Sequence, residues 1–474
     1  MRQTELQRDT ALLQIAAILD FSLRWHDVWD SSPLIDEGLH LLKLHLPYHE
    51  FDHVLNIAYN ALCGGTCLQD IEQRRNDEAF LNALGARRIP DPTTAGDFCR
   101  RFTKHSIETL IDAINETRLG VWAEQPNPFL DCAFIDTDGT LTETTGQCKQ
   151  GMDISYKGIW GYNPLIVSLA NTDEVLSIVN RSGNRPSHEN AAREIDRSLF
   201  LCLQAGFRKV LLRGDTDFSQ TEHLDGWNAM AKVRFIFGYD ARDNLEEIAA
   251  NLPESAWRRL ERPVRYAVRT QPRQRPVNVK DLIVRERKFE TLRLKSEEVA
   301  EFEHQPIKCS QKYRMVVVRK NITKEKGELA LVDDIRYFFY ITNERKWSAS
   351  EVVFSANNRC NQENLIAQLK GGVHALNSPL TTLESNWASM VMAALAWNLK
   401  AWWALSLPEA PGRWREHHRE QKKWVLRLEF RTFLNAFVLL PCQILQTGRK
   451  VIDRLMGWNQ HLSILFKLVG KLNC

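Results

Sequence analysis

The chain has 474 residues, 44% apolar and 26% charged, which is ordinary for a folded protein and sufficient for two to four domains. Its 62 Lys and Arg against 59 Asp and Glu leave a net charge of +3, so any contact with nucleic acid must rest on local patches and not on a global excess. Ten irregularly spaced cysteines, a polar amino terminus and an apolar run broken by Asn398 and Lys400 predict reduced thiols, a cytoplasmic location and no membrane partner. Cys63 and Cys67 form a close pair, but no partners lie at zinc-site spacing.

Residues 1–125 read as helical. Apolar segments at helical spacing cover 12–23, 34–46 and 51–62. A helix over 95–114 follows the punctuation Pro90-Asp91-Pro92-Thr93-Thr94, with Asp91 or Thr93 as its N-cap. Arg100 and Arg101 on it face either phosphate or water. After a linker at 125–128 the texture changes to strands alternating with helices. Strands are expected over 133–137, 164–170 and 175–180, then a helix over 188–205 capped by Ser187. A strand over 209–213, a short helix over 218–230 and a strand over 233–239 complete residues 131–239. Three strands, a helix, a strand, a helix and a strand is the order of an RNase H-like mixed sheet, an α/β fold in which the first and fourth strands are neighbours.

Residues 240–350 break that alternation and predict a mostly β insertion, with β-type runs at 264–269, 279–284, 315–319 and 337–342. Its arginines (Arg258, Arg259, Arg262, Arg265, Arg269, Arg273, Arg275) face phosphate or solvent. One helix over 348–370 opens the return to the core at 351–405, which ends in a Trp-rich buried helix over 386–405. Residues 406–474 are basic and read as helical.

Chemistry concentrates where strands end. Phe134-Ile135-Asp136-Thr137-Asp138-Gly139-Thr140 reads as a buried strand running into two carboxylates and a turn, although an isolated Asp-Gly is more often a turn alone. Gly214-Asp215 closes the fourth strand. Arg359, Glu363 and Lys370, four and seven residues apart, are expected on one helix face. Carboxylates gathered at neighbouring strand ends repel unless a cation lies between them, and an all-oxygen set suits Mg²⁺ or Mn²⁺.

Asp138-Gly139-Thr140, Gly214-Asp215 and the Arg359-x3-Glu363-x6-Lys370 run resemble the three acidic motifs of bacterial insertion-sequence transposases of the DDE type. The group concerned carries a Tyr-x2-Arg-x3-Glu-x6-Lys signature and a β insertion between the second Asp and the Glu. The stretch from Tyr156-Lys157-Gly158 to Gly161-Tyr162-Asn163 is similar to the Tyr/Gly-rich segment that follows the first Asp in one branch. Ala356 departs from the signature, standing where its tyrosine belongs. The resemblance implies an endonuclease of a mobile element. Asp138, Asp215 and Glu363 would be both catalytic and metal-binding, holding two Mg²⁺ or Mn²⁺ ions about 4 Å apart. Arg359 and Lys370 would contact DNA phosphates, and an aromatic of the insertion, such as Phe338 or Trp347, would stack on a base. Residues 1–125 would bind DNA. The implied partners are double-stranded DNA with terminal inverted repeats, target DNA and a second copy of the chain in a synaptic homodimer, acting on the nucleoid.

Asp136-Thr137-Asp138-Gly139-Thr140 also matches the opening of haloacid-dehalogenase-like phosphatases, with Asp136 as nucleophile and Asp138 as general acid. Against that reading, Ser219 stands where their late motif wants an Asp, and Arg359, Glu363 and Lys370 go unexplained. A catalytically inactive DNA-binding derivative is the third reading, and the intact acidic set counts against it.

Overall fold

The computed structural model describes residues 31–472, except 44, 46, 263–276, 327–328, 441, 448–449 and 457–458. The expected helix over 12–23 and strand over 264–269, with Arg265, Arg269, Arg273 and Arg275, lie outside the described residues. Two units divide the chain: Met1–Val210 with Cys360–Cys474, and Leu211–Arg359.

The first unit opens with α1 (Ser31–Gly38), α2 (Glu50–Leu62), α3 (Ile71–Arg75), α4 (Glu78–Ala83), α5 (Pro92–Cys99) and α6 (Lys104–Ala123). Helix α1 stops at Gly38, well short of the expected residue 46. The Glu50 carboxylate accepts the N–H groups of Leu41 and Leu42 at 3.0 and 2.9 Å, so those amides bond to a side chain and not to a helical turn. The single helix expected over 95–114 is two helices. Asp91 caps α5, accepting from Thr94 N at 2.9 Å, and Thr103 and Ser106 form a capping box that restarts the chain as α6.

Strand β1 (Ala133–Gly139) is followed by a small antiparallel sheet of β2 (Thr142–Glu143), β3 (Asp153–Ile154) and β4 (Trp160–Tyr162), ordered β2-β4-β3. Strands β5 (Leu165–Leu169) and β6 (Glu174–Val179) then pair antiparallel with each other and with β1, in the order β6-β5-β1. The next helix, α7 (Ala191–Gln204), starts later than expected, and Asn190, not Ser187, precedes it at a φ of 59°. Arg181 causes the delay: its Nη1 donates to the carbonyls of Pro186, Ser187 and Glu189, which holds them in a loop.

Strand β7 (Val210–Gly214) leads into the second unit. There follow α8 (Thr221–Ala229), β8 (Val233–Tyr239), α9 (Asp243–Ala250), β9 (Arg258–Arg259) and α10 (Val279–Glu286). Three long strands, β10 (Glu290–His304), β11 (Tyr313–Lys326) and β12 (Leu329–Thr342), precede α11 (Ala349–Asn358). The strands lie in the order β7-β8-β12-β11-β10-β9. The run 279–284, expected as a strand, is α10. Asn278 caps it through Asp281 N, and Val279, Leu282 and Ile283 fall at helical spacing, so period overrides β-propensity.

The chain returns to the first unit with α12 (Asn361–Gly371), α13 (Leu383–Leu405), α14 (Arg415–Leu426) and α15 (Phe430–Phe433). The end, expected to be helical, instead contains a hairpin of β13 (Cys442–Thr447) and β14 (Lys450–Leu455) before α16 (Leu462–Leu472). Ile444, Val451 and Ile452 favour strands, and Gly448 separates the two runs. Along the chain the core elements run β1, β5, β6, α7, β7, α8, β8. The fold is α/β with the element order of an RNase H-like core, as expected. No helix among the described residues is long and apolar enough to cross a membrane.

The first unit's core is organised around Glu174, which is fully buried at the start of β6. It accepts from Arg118 Nε at 3.0 Å, Trp122 Nε1 at 3.0 Å, Thr172 Oγ1 at 2.6 Å and Trp402 Nε1. Helices α6 and α13 are thereby tied to β6. Asn398 on α13 adds a second tie, taking both the N–H (2.8 Å) and the carbonyl (3.0 Å) of Val175. Lys400, also buried, donates to the carbonyls of Leu426 and Leu428 and fixes the end of α14 on α13. Arg118→Ala leaves a buried carboxylate without its cation, and urea unfolding is expected to show a loss of about 3–5 kcal/mol. Arg193→Ala, which removes an exposed cation paired with Glu108 and, at 3.8 Å, with Glu194, is expected to cost under about 1 kcal/mol.

Candidate active site

Alternation along β1 places Asp136 and Asp138 on the same face. Asp136 lies opposite Ser168 and Asp138 opposite Ile166 on β5. Both β5 positions are gripped by one side chain from α12. The Ser168 hydroxyl donates to Gln362 Oε1, and Gln362 Nε2 donates to the Ile166 carbonyl at 3.3 Å. Gln362 is only 2% exposed, whereas its neighbour Glu363 is exposed in the first turn of α12. Two turns later Lys370 Nζ donates to the carbonyl of Leu141, three residues beyond Asp138, at 2.7 Å. Helix α12 is therefore pinned at both ends against β5 and the carboxyl end of β1. Asp138 is half-buried and accepts the N–H of Gly139 at 2.8 Å. Asp136 is fully buried, a poor position for a nucleophile that must meet a phosphate ester.

In the second unit Asp215 follows β7 and caps the short turn Thr216–Phe218, accepting from Asp217 N at 3.1 Å. Two glycines make room for this backbone. A Cβ on Gly214 would lie 2.7 Å from the Phe218 Cβ, and one on Gly238 of β8 would lie 2.8 Å from Thr216 N. Burial raises the Asp215 carboxyl above its ordinary value, against the lowering field of Arg359, and Asp217 adds to the rise. Arg213 on β7 donates to the Ser355 carbonyl in the last turn of α11 at 3.1 Å, a cation placed where the helix dipole favours it.

The expectation that Arg359, Glu363 and Lys370 share one helix is corrected. The chain tightens at Arg359 and Cys360, with N–H bonds reaching back three residues (Arg359 to Ala356, Glu363 to Cys360), and helix α11 ends before α12 begins. Asn357 and Asn358, weak helix formers, precede the break. Arg359 belongs with Asp215 in the second unit; Glu363 and Lys370 belong with Asp138 in the first.

Of the described arginines named in the insertion, Arg258 and Arg259 on β9 are exposed and Arg262 meets a carboxylate. Arg262 is forked onto Glu297 at 2.7 and 2.8 Å, and Arg319 onto Glu254 at 2.8 Å. Phe338 on β12 is 41% exposed, with Lys320 Nζ 4.6 Å from its ring centre; Trp347 is half-buried beyond the end of β12. Burial pushes the Cys63 thiol up to about 12, away from the thiolate that a metal needs. Among the described residues no three His, Cys, Asp or Glu side chains form a group spaced for a metal ion. Sequence reasoning missed Gln362 and Gly238. The first had no signal beyond adjacency to Glu363, and the second was visible only as a glycine inside a strand.

Because Asp215 is raised by burial, the folded chain binds its proton more tightly than the unfolded chain does. Its charge costs stability above the folded carboxyl's pKa, and the cost vanishes as pH falls below the unfolded value. Asp215→Asn is therefore expected to raise Tm at neutral pH, with the gain disappearing below about pH 4. Calorimetry across that range checks it; a Tm lowered at neutral pH would contradict the burial argument.

A family model described as transposase DDE domain group 1 matches residues 45–417. Among solved structures, the cryo-EM structure of a piggyBac transposase synaptic complex with hairpin DNA is similar at 10% identity, covering 89% of this chain and 82% of that chain with a TM-score of 0.37. Comparison with curated proteins finds no match. The family model spans well over half of the chain and includes Asp138, Asp215 and Glu363, and the chain accordingly belongs to the group 1 DDE transposases, enzymes that cleave DNA.

Proposed function

We propose that this transposase cuts and joins the ends of an insertion sequence with Asp138, Asp215 and Glu363 as its acidic triad. The observation that supports this reading is the clamp of Gln362 on Ser168 and Ile166, which seats the first turn of α12, where Glu363 lies, against the strand that pairs with Asp136 and Asp138. The donor set fits a divalent cation: three carboxylates with oxygen donors only, one of them held above its ordinary value by burial that a nearby positive ion would offset. Mg²⁺ or Mn²⁺ bound as a pair would supply Lewis acidity and an activated oxygen nucleophile.

What the chain contributes is placement and charge. Asp138 and Glu363 present oxygens from a rigid strand and a pinned helix, so little ordering remains to be done when substrate arrives. Lys370 and Arg359 bring positive charge to the two carboxylate neighbourhoods, where the phosphodiester's own charge must be held. Attack by water frees an end, and attack by the resulting 3′-hydroxyl on target DNA joins it. Both are in-line displacements at phosphorus. The substrates in this reading are duplex DNA bearing terminal inverted repeats and target DNA, engaged by two copies of the chain on the bacterial nucleoid. Residues 1–125 are the proposed end-binding region, and Phe338 and Trp347 are the insertion's proposed stacking residues.

Glu363→Gln is expected to fold normally and to lose Mg²⁺-dependent nicking of a plasmid carrying the repeats that flank the gene by at least about a hundredfold, roughly 2.7 kcal/mol of barrier. Undiminished cutting by this variant would remove Glu363 from the triad.

A further inference from the structure

The hairpin of β3 and β4 exposes apolar side chains in a concentrated run. Tyr156 is 86% exposed, Trp160 52% and Ile154 45%. Scattered exposed hydrophobics need no explanation, but three within seven residues do. Ile154 and Trp160 are register partners and so share a face. The tip that carries Tyr156 and Lys157 is a closed turn. Ser155 accepts from Gly158 N at 2.8 Å, Ser155 N donates to Ile159 O at 2.9 Å, and the Ser155 hydroxyl accepts from Ile159 N at 3.1 Å. Gly158 takes a φ of +74° to complete it. The aromatic side chains are thus held out by defined turn chemistry.

The position of the hairpin matters as much as its exposure. Strand β2 begins four residues after Asp138, and β4 pairs with it through Thr142–Tyr162 and Glu143–Gly161. The approach is so close that a Cβ on Gly161 would lie 1.9 Å from the Thr142 carbonyl oxygen. The tip also carries charge toward α12. Lys157 adds to the burial that lowers Lys370, whose Nζ is already anchored on Leu141 between Asp138 and β2. Aromatic faces and cations set beside carboxylates that handle phosphodiesters form the combination that grips unpaired nucleic acid: rings stack on bases, and cations follow the backbone.

We propose that Tyr156, supported by Trp160 on the same hairpin, stacks on an unpaired base at the DNA end, while Lys157 and Lys370 hold the adjoining phosphates. The inference rests on the acidic-triad reading for the location of that end.

The test uses the full chain in EDTA, so that binding is separated from cutting. The probes are a short duplex with a single-stranded extension, carrying a fluorescent purine analogue at the first unpaired position, and the same duplex blunt. Wild type is expected to bind the extended duplex more tightly and to quench the analogue. Tyr156→Ala should bind the extended duplex roughly tenfold more weakly and the blunt duplex equally. Tyr156→Phe should behave as wild type, and all three should share one melting temperature. The proposal is overturned if wild type shows no preference for the extension. It is also overturned if Tyr156→Ala keeps the preference or weakens on both duplexes alike. Glu363→Gln separates the two readings: cutting by that variant defeats the triad while leaving the stacking preference standing, and a lost preference defeats the stacking while leaving the triad standing.

Discussion

A single buried carboxylate holds the first unit in register. Glu174 sits in an interior that water does not reach, so its charge must be met entirely by the chain, and Arg118, Thr172, Trp122 and Trp402 meet it. These donors come from α6, from α13 and from the turn before β6. None of the three elements can slide without stranding a charge or an indole N–H, a displacement that fixed-length hydrogen bonds resist far more than apolar packing would. The register of β6 passes to β5, across one register shift at Val167–Ser168, and then to β1 through antiparallel pairing. An acid on β6 therefore bears, through β5, on where β1 and its Asp138 stand.

Much of this was legible in the sequence, for identifiable reasons. The strands at 133–137 and 209–213 announce themselves because apolar runs end abruptly in Asp or Gly-Asp, and the 23-residue helix α13 because its apolar content leaves no polar face. What escaped was decided by single side chains acting on backbone. The Glu50 carboxylate takes the amides of Leu41 and Leu42, Arg181 takes three loop carbonyls, and Thr103 with Ser106 restarts a helix that composition alone would continue. Gln362 belongs to the same class. An amide in a first helical turn is unremarkable until its partner 194 residues away is known.

The spacing of Arg359, Glu363 and Lys370 shows how regular spacing can suggest a geometry the backbone does not adopt. Read as a helix, the run puts three charges on one face. The structure assigns them separate local tasks. Arg359 bears on the carboxyl of Asp215, Glu363 rides on the Gln362 clamp, and Lys370 locks onto the loop leaving β1. The tightened turn at Arg359–Cys360 lets one short stretch of chain serve two neighbourhoods. Spacing in such motifs need not report a shared helix face.

Gly161 has a further consequence for anyone wishing to re-engineer this molecule. With a carbonyl oxygen 1.9 Å from where its Cβ would be, that position admits no other residue, and Gly183 is almost as confined, 2.5 Å from the carbonyl oxygen of Asp153. The loop from 142 to 162 is consequently a cassette. Its tip at 156–157 is exposed, the turn behind it is held by the positive φ of Gly158, and its base is locked. Libraries that vary the tip would therefore change the proposed DNA-end contacts of Tyr156 and Lys157 while leaving the base intact. A hairpin borrowed from another protein would have to bring a side-chain-free position of its own opposite Thr142 and fit against Gly183.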